Sequence, residues 1–192
     1  HTARIASLTS ESGWLTVAGL FWLKDGENTI GSSKQNSIIL AKGKAEEQVG
    51  VVTLKNESVW FNVLPGIDVK VKDSSFTSGI IYGSEIKEQS VVLAHKNLRW
   101  FIIKRGTKYG LRLRDLTSEA RIHFSGIDRF PIDEKWKINA LYEAPKKDST
   151  LAIHDVIGLT TETAYGGSLR FERNGITYKL DATLEGDDLF IV

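Results

Sequence analysis

Leu169-Arg170-Phe171-Glu172-Arg173-Asn174-Gly175-Ile176-Thr177-Tyr178-Lys179-Leu180 is the stretch whose reading decides the fold class. Apolar and polar residues alternate on both sides of Asn174-Gly175, the period of two of a strand with one wet face. Asn-Gly readily takes the left-handed backbone of a type I′ turn, so the segment predicts an antiparallel hairpin. The same pattern extends outward along the chain. Apolar runs at 29–30, 37–40, 49–54, 58–64, 91–94 and 100–104 are separated by polar turns, and Val69 and Val71 alternate with Lys70 and Lys72. Trp136, Ile138, Ala140 and Tyr142 alternate with Lys137, Asn139 and Leu141, predicting one more strand. Val, Ile and Thr together number 44 against 12 alanines, a balance that suits a pleated sheet better than a helix. Only the start reads as helical: Ile5, Leu8, Leu15 and Ala18 are loosely helix-spaced around Arg4, and Ser12-Gly13 would interrupt that helix. The expected fold is mostly β, an antiparallel β-sandwich or barrel with a short N-terminal helix or arm.

Composition narrows the function classes. The chain has 192 residues, with 25 Lys and Arg against 24 Asp and Glu, a net charge of +1. Hydrophobic residues make up 41%, enough for a packed core and too many for a disordered chain. No apolar stretch approaches the roughly 18 to 20 residues that span a bilayer. Balanced charge argues against a nucleic-acid binder, whose affinity comes from clustered excess Lys and Arg. With no cysteine there is no disulfide, thiol nucleophile or thiolate metal site. A single domain over 1–192 is expected, with one lobe at 1–75 and a second at 76–192. The seams fall in the Ser- and Gly-rich 73–84 and the polar 145–150. The chain opens on His1 and stops within the apolar run Leu189-Phe190-Ile191-Val192, so the native protein is expected to continue beyond Val192.

Motifs for catalysis are sparse. There is no Gly-x-Ser-x-Gly elbow, no Gly-x-x-x-x-Gly-Lys loop and no Gly-x-Gly-x-x-Gly fingerprint. His1, His95, His123 and His154 lie far apart and form no His-Glu-x-x-His pattern, so neither a metal nor a cofactor is expected. The constellation that stands out is Lys104, Arg105, Lys108, Arg112 and Arg114. If 106–110 form the loop of a hairpin, Lys104 lies opposite Arg112, and Trp100, Ile102, Lys104, Arg112 and Arg114 share one face. Like charges opposite each other destabilise a sheet by a few tenths of a kcal/mol or more, so something must offset them. The candidate ligand site is therefore Lys104, Arg112 and Arg114, with Trp100 as an apolar wall, for a small or extended anion. Two alternatives stand beside it. One is a hydrolytic enzyme pairing Asp115 or Asp133 with His95, His123 or His154. The other is a structural or interaction module without a pocket. Among the remaining tryptophans, Trp60 and Trp136 read as core, and Trp14 and Trp22 as pins of the N-terminal arm.

Gly13-Trp14-Leu15-Thr16-Val17-Ala18-Gly19-Leu20-Phe21-Trp22 through Gly31-Ser32 resembles the opening of a prokaryotic family known as domain of unknown function 1684. Ile103-Lys104-Arg105-Gly106, Tyr109 to Asp115, Phe124-Ser125-Gly126-Ile127, Phe130-Pro131-Ile132-Asp133 and Gly167-Ser168-Leu169-Arg170-Phe171 resemble it in order. The resemblance implies a tail with Thr-Tyr-Gly and Asn-Pro-Pro-Cys motifs, absent here, and extracytoplasmic rather than cytoplasmic location. It implies no activity. Residues 23–40, with Thr29-Ile30-Gly31-Ser32, also resemble the start of a forkhead-associated domain. Ser32 replaces the arginine that would hold a phosphate and no Ser-x-x-His turn follows, so phosphopeptide binding does not carry over.

Overall fold

A computed structural model describes residues 1–86, 90–154, 158 and 160–192. Backbone contacts gather the chain into two compact units, His1–Asp128 and Arg129–Val192. The protein is mostly β, with antiparallel sheets and a short N-terminal helix.

The first unit begins with α1 (Thr2–Thr9) and a 3-10 turn at Trp14–Thr16. Its strands are β1 (Val17–Trp22), β2 (Gly26–Gly31), β3 (Ile38–Ile39), β4 (Gly50–Lys55), β5 (Ser58–Val63) and β6 (Lys70–Val71). They continue as β7 (Ser74–Ser75), β8 (Ser78–Tyr82), β9 (Leu93–His95), β10 (Leu98–Arg105) and β11 (Lys108–Asp115), and α2 (Glu119–Ile122) follows. One sheet has the order β1-β11-β10-β9-β6-β7 and the other β3-β2-β4-β5-β8. All ladders are antiparallel except β2 with β3. Alternate residues from both sheets enter a common core. Ile30, Val52, Phe61 and Ile81 come from one sheet, and Leu93, Trp100, Ile102 and Leu111 from the other. Phe61 meets Trp100 edge-on, with ring centroids 5.9 Å apart.

The N-terminal arm is tied down by a tight approach. A Cβ at Gly13 would lie 2.1 Å from the Leu8 carbonyl oxygen, so only glycine lets the chain turn back under α1. Buried Thr16 donates its hydroxyl to the Gly13 carbonyl at 2.7 Å. Arg121 Nε donates to the Thr9 carbonyl at 2.9 Å, and the Ser118 hydroxyl donates to the Leu15 carbonyl. Past the break, 17–22 form β1 rather than more helix, because these residues complete the β11 ladder.

The second unit contains a 3-10 turn at Glu134–Trp136, then β12 (Leu141–Glu143), β13 (Thr150–His154), β14 (Thr160–Arg173), β15 (Ile176–Glu185) and β16 (Asp188–Ile191). Their order is β12-β14-β15-β16, with β13 also on β14. The β14–β15 hairpin turns at Asn174 (φ 52°) and Gly175 (φ 73°), the left-handed pair that the sequence predicts. The strand expected around Trp136 is confined to β12. Asp133 caps a turn there instead, its carboxylate accepting from the Lys135 backbone N–H at 3.0 Å. Trp136 is consequently not core: it is 68% exposed, with the Arg173 guanidinium 3.6 Å from its ring centroid. Trp60 is half-buried.

Candidate functional site

The β10–β11 ribbon carries the cationic cluster, and its register decides which residues meet. The strands are joined by the two residues Gly106-Thr107, and Arg105 pairs with Lys108. The pairs that follow are Lys104 with Tyr109, Ile102 with Leu111, Trp100 with Leu113, Phe101 with Arg112 and Arg99 with Arg114. A loop shorter than the five residues expected changes the parity of the pairing, and each side chain of one strand changes face relative to the other.

Two of the four expected site residues therefore leave the patch. Trp100 is fully buried and packs in the core on the inner face. Lys104 shares that inner face, near the open end of the ribbon. Its ammonium lies 5.0 Å from the Tyr109 ring centroid and 3.5 Å from Glu57 Oε1. The Tyr109 hydroxyl, then Glu57, raise the Lys104 ammonium above its ordinary value. Arg112 and Arg114 remain together on the outer face, roughly 7 Å apart by the rise of an extended strand.

Arg99 and Arg105 join them there through the alternation of β10, as do Phe101 and Ile103. Sequence reasoning singled out Arg105 in the cationic cluster but left it out of the candidate site, and it missed Arg99. The signal was available: Tyr109, Leu111 and Leu113 continue one apolar alternation, which shortens the loop and sends Arg99, Phe101, Ile103 and Arg105 to the face of Arg112. From the neighbouring strand, Val17 lies beside Arg114 and Leu20 beside Arg112.

Among the described residues the charges on this face are not ion-paired from within, although Glu11 lines a cavity with Arg99 and Arg114. Arg99 stands directly opposite Arg114, and Arg105 opposite Lys108. Among the described residues no carboxylate forms an ion pair with Arg99, Arg105, Arg112 or Arg114. Arg99 Nη1 donates to the Lys96 and Leu98 carbonyls, each at 2.9 Å, and Arg114 Nη1 donates to the Glu11 carbonyl at 3.3 Å. The Arg114 guanidinium lies 5.4 Å from the Phe101 ring centroid, and its buried Nε has no hydrogen-bond partner. Burial, then the neighbouring Arg112 charge, push the Arg114 guanidinium below its usual range. The N-terminal arm supplies a wall. One open cavity of about 310 Å³ lies between Trp14, Ser12 and the arginines 105, 112 and 114. A second, of about 320 Å³, lies between Glu11, Ser12, Arg99 and Arg114, and Phe101 lines both.

The histidines are not gathered. His95 is buried, with Nδ1 2.7 Å from the Asp68 carbonyl and Nε2 2.6 Å from Glu46 Oε2. Both ring nitrogens are thus engaged within the fold, one by a backbone carbonyl and one by a carboxylate. Lys96 completes the group at 2.6 Å from Glu46 Oε1, and its hydrogen bond is the main reason the Glu46 carboxyl is held below its usual value. Exposed His123 pairs with Glu119 at 2.8 Å, and His154 Nδ1 lies 2.8 Å from the Thr160 hydroxyl. Asp155, the residue after His154, lies outside the described residues. Asp115, a candidate partner for histidine, is bound by Lys44 at 3.1 Å and by the Thr117 hydroxyl at 2.7 Å. Among the described residues no three His, Asp or Glu side chains are grouped to hold a metal ion.

Residues 122–192 match the profile of a family described as protein of unknown function (DUF1684), the family that the sequence motifs resemble. No curated protein matches the chain.

Proposed function

We propose that the outer face of the β1–β11–β10 ribbon binds an anionic ligand, with Arg112 and Arg114 as the central pair and Arg99 and Arg105 flanking them. The carrying observation is a row of like charges, with Arg99 opposite Arg114 and no carboxylate ion-paired to either among the described residues. Such an arrangement costs folding free energy, and a negative guest offsets it. Guanidinium groups suit the task because their planar donor forks match carboxylate or phosphate oxygens in pairs. Phe101, Ile103 and Val17 give the face an apolar floor beneath the charges.

The test is thermal unfolding in inorganic phosphate, sulfate and citrate at constant ionic strength. The anions should raise the unfolding temperature of the native protein above that in chloride. The double variant Arg112→Ala/Arg114→Ala should lose the rise, and Lys104→Ala, on the opposite face, should keep it. An equal rise in the double variant, or its loss in Lys104→Ala, overturns the assignment.

A further inference from the structure

Resting on the anion-binding reading above, we infer that the ligand is a linear polymer with a carboxylate on each unit, an acidic polysaccharide of the polyuronate class. It lies along β10 from Arg99 to Arg105. The cations do not converge on a point. Arg99 and Arg105 are six residues apart on one strand, a span of roughly 20 Å, so a single compact anion leaves part of the row without a counter-charge. The two cavities share Ser12, Phe101 and Arg114 and open toward opposite ends of the strand, Arg105 in one and Arg99 in the other. They adjoin along the strand at these shared residues.

The cavities' remaining chemistry selects the polymer. Trp14, 69% exposed, offers a flat apolar surface to the C–H face of a sugar ring, and Ser12, whose hydroxyl lies 3.3 Å from that of Ser10, lines the same cavity. Planar carboxylates pair with guanidiniums through two parallel bonds. Single-stranded nucleic acid would also bring repeated anions, but it binds on successive free aromatic platforms. Here the Phe101 ring already carries the Arg114 guanidinium, which leaves Trp14 as the free ring within the two cavities. The net charge of +1 also lacks the cationic excess that drives phosphate-backbone binding.

Titration calorimetry with galacturonate and its oligomers up to the octasaccharide, at constant ionic strength, tests the inference. Affinity should rise about tenfold or more between the disaccharide and the hexasaccharide. Arg99→Ala and Arg105→Ala should each cancel that gain with length. Trp14→Ala should weaken the hexasaccharide by a larger factor than it weakens galacturonate. Affinity that does not grow with length, while phosphate still acts through Arg112 and Arg114, overturns the polymer and leaves the anion site standing. Tighter binding of an oligodeoxythymidylate of matched length overturns it in favour of nucleic acid. If neither phosphate nor any oligomer binds, the anion-binding reading itself falls.

Discussion

Replacing Arg114 by methionine should make the protein more stable and less able to bind anions. The orphan Nε is a buried donor whose desolvation is not returned, at a cost of about 1 to 3 kcal/mol. Repulsion from Arg112 and Arg99 adds about 1 kcal/mol once solvent screening is allowed for. Against this stand the 3.3 Å bond to the Glu11 carbonyl and the contact with Phe101, together about 1 to 2 kcal/mol. Methionine keeps an unbranched stem over the Phe101 ring, where its sulfur recovers part of the cation's attraction. The balance favours Arg114→Met by about 1 kcal/mol, a rise of about 2 to 4 °C in unfolding temperature for a chain of this size. Thermal and urea unfolding followed by tryptophan emission, with and without sulfate, would measure both effects. The variant should melt higher than the native protein in chloride, and sulfate should narrow the gap by stabilising only the native chain. A variant that melts lower in chloride refutes the reasoning, because the guanidinium would then be contributing to the fold rather than straining it.

Three further outcomes follow from the packing and hydrogen bonds of the first unit. His95→Ala leaves the Asp68 carbonyl and Glu46 without their shared donor and opens a small void, so urea denaturation should show a loss of about 2 to 3 kcal/mol. Burial raises the Asp115 carboxyl, but the Thr117 hydroxyl and backbone N–H together with Lys44 outweigh it, and the net shift is downward from 3.8. Its folded value lies below its unfolded one, so its stabilisation is present above about pH 4 and lost as pH falls through the lower value. Acid unfolding of Asp115→Asn should accordingly be less steep in that window than that of the native chain. Gly13→Ala forces the new methyl into the Leu8 carbonyl and should release the arm. Limited proteolysis should then cut between α1 and β1, and anion affinity should fall with the loss of the Trp14 wall.

The sequence made the β class legible because alternation and turn chemistry are local. Asn174-Gly175 encodes its own backbone, and 49–54, 58–64 and 100–104 alternate strongly enough to place β4, β5 and β10. Where the reading turned on a tertiary choice it failed. Gly106 and Gly110 bracket a segment that looks like a five-residue loop, yet Tyr109 is drawn into the core and the strand starts at Lys108. That single parity change moved Trp100 and Lys104 away from Arg112 and brought Arg99 and Arg105 toward it. β1 was hidden for a similar reason: Val17 to Trp22 is a strand because β11 offers it a ladder, and nothing within the segment says so. The His95–Glu46 pair, 49 residues apart in the chain, carries no local signal at all.

The amphipathic ribbon of β10 and β11 assigns two jobs by odd and even number. On β10 the even positions Leu98, Trp100 and Ile102 hold the interior while the odd ones, from Arg99 to Arg105, face outward; on β11 the assignment reverses. Evolution can therefore retune the exterior of this ribbon one residue at a time without disturbing the packing behind it. A saturation-mutagenesis map of 98–115 would oscillate with period two, and its phase would invert across Gly106-Thr107.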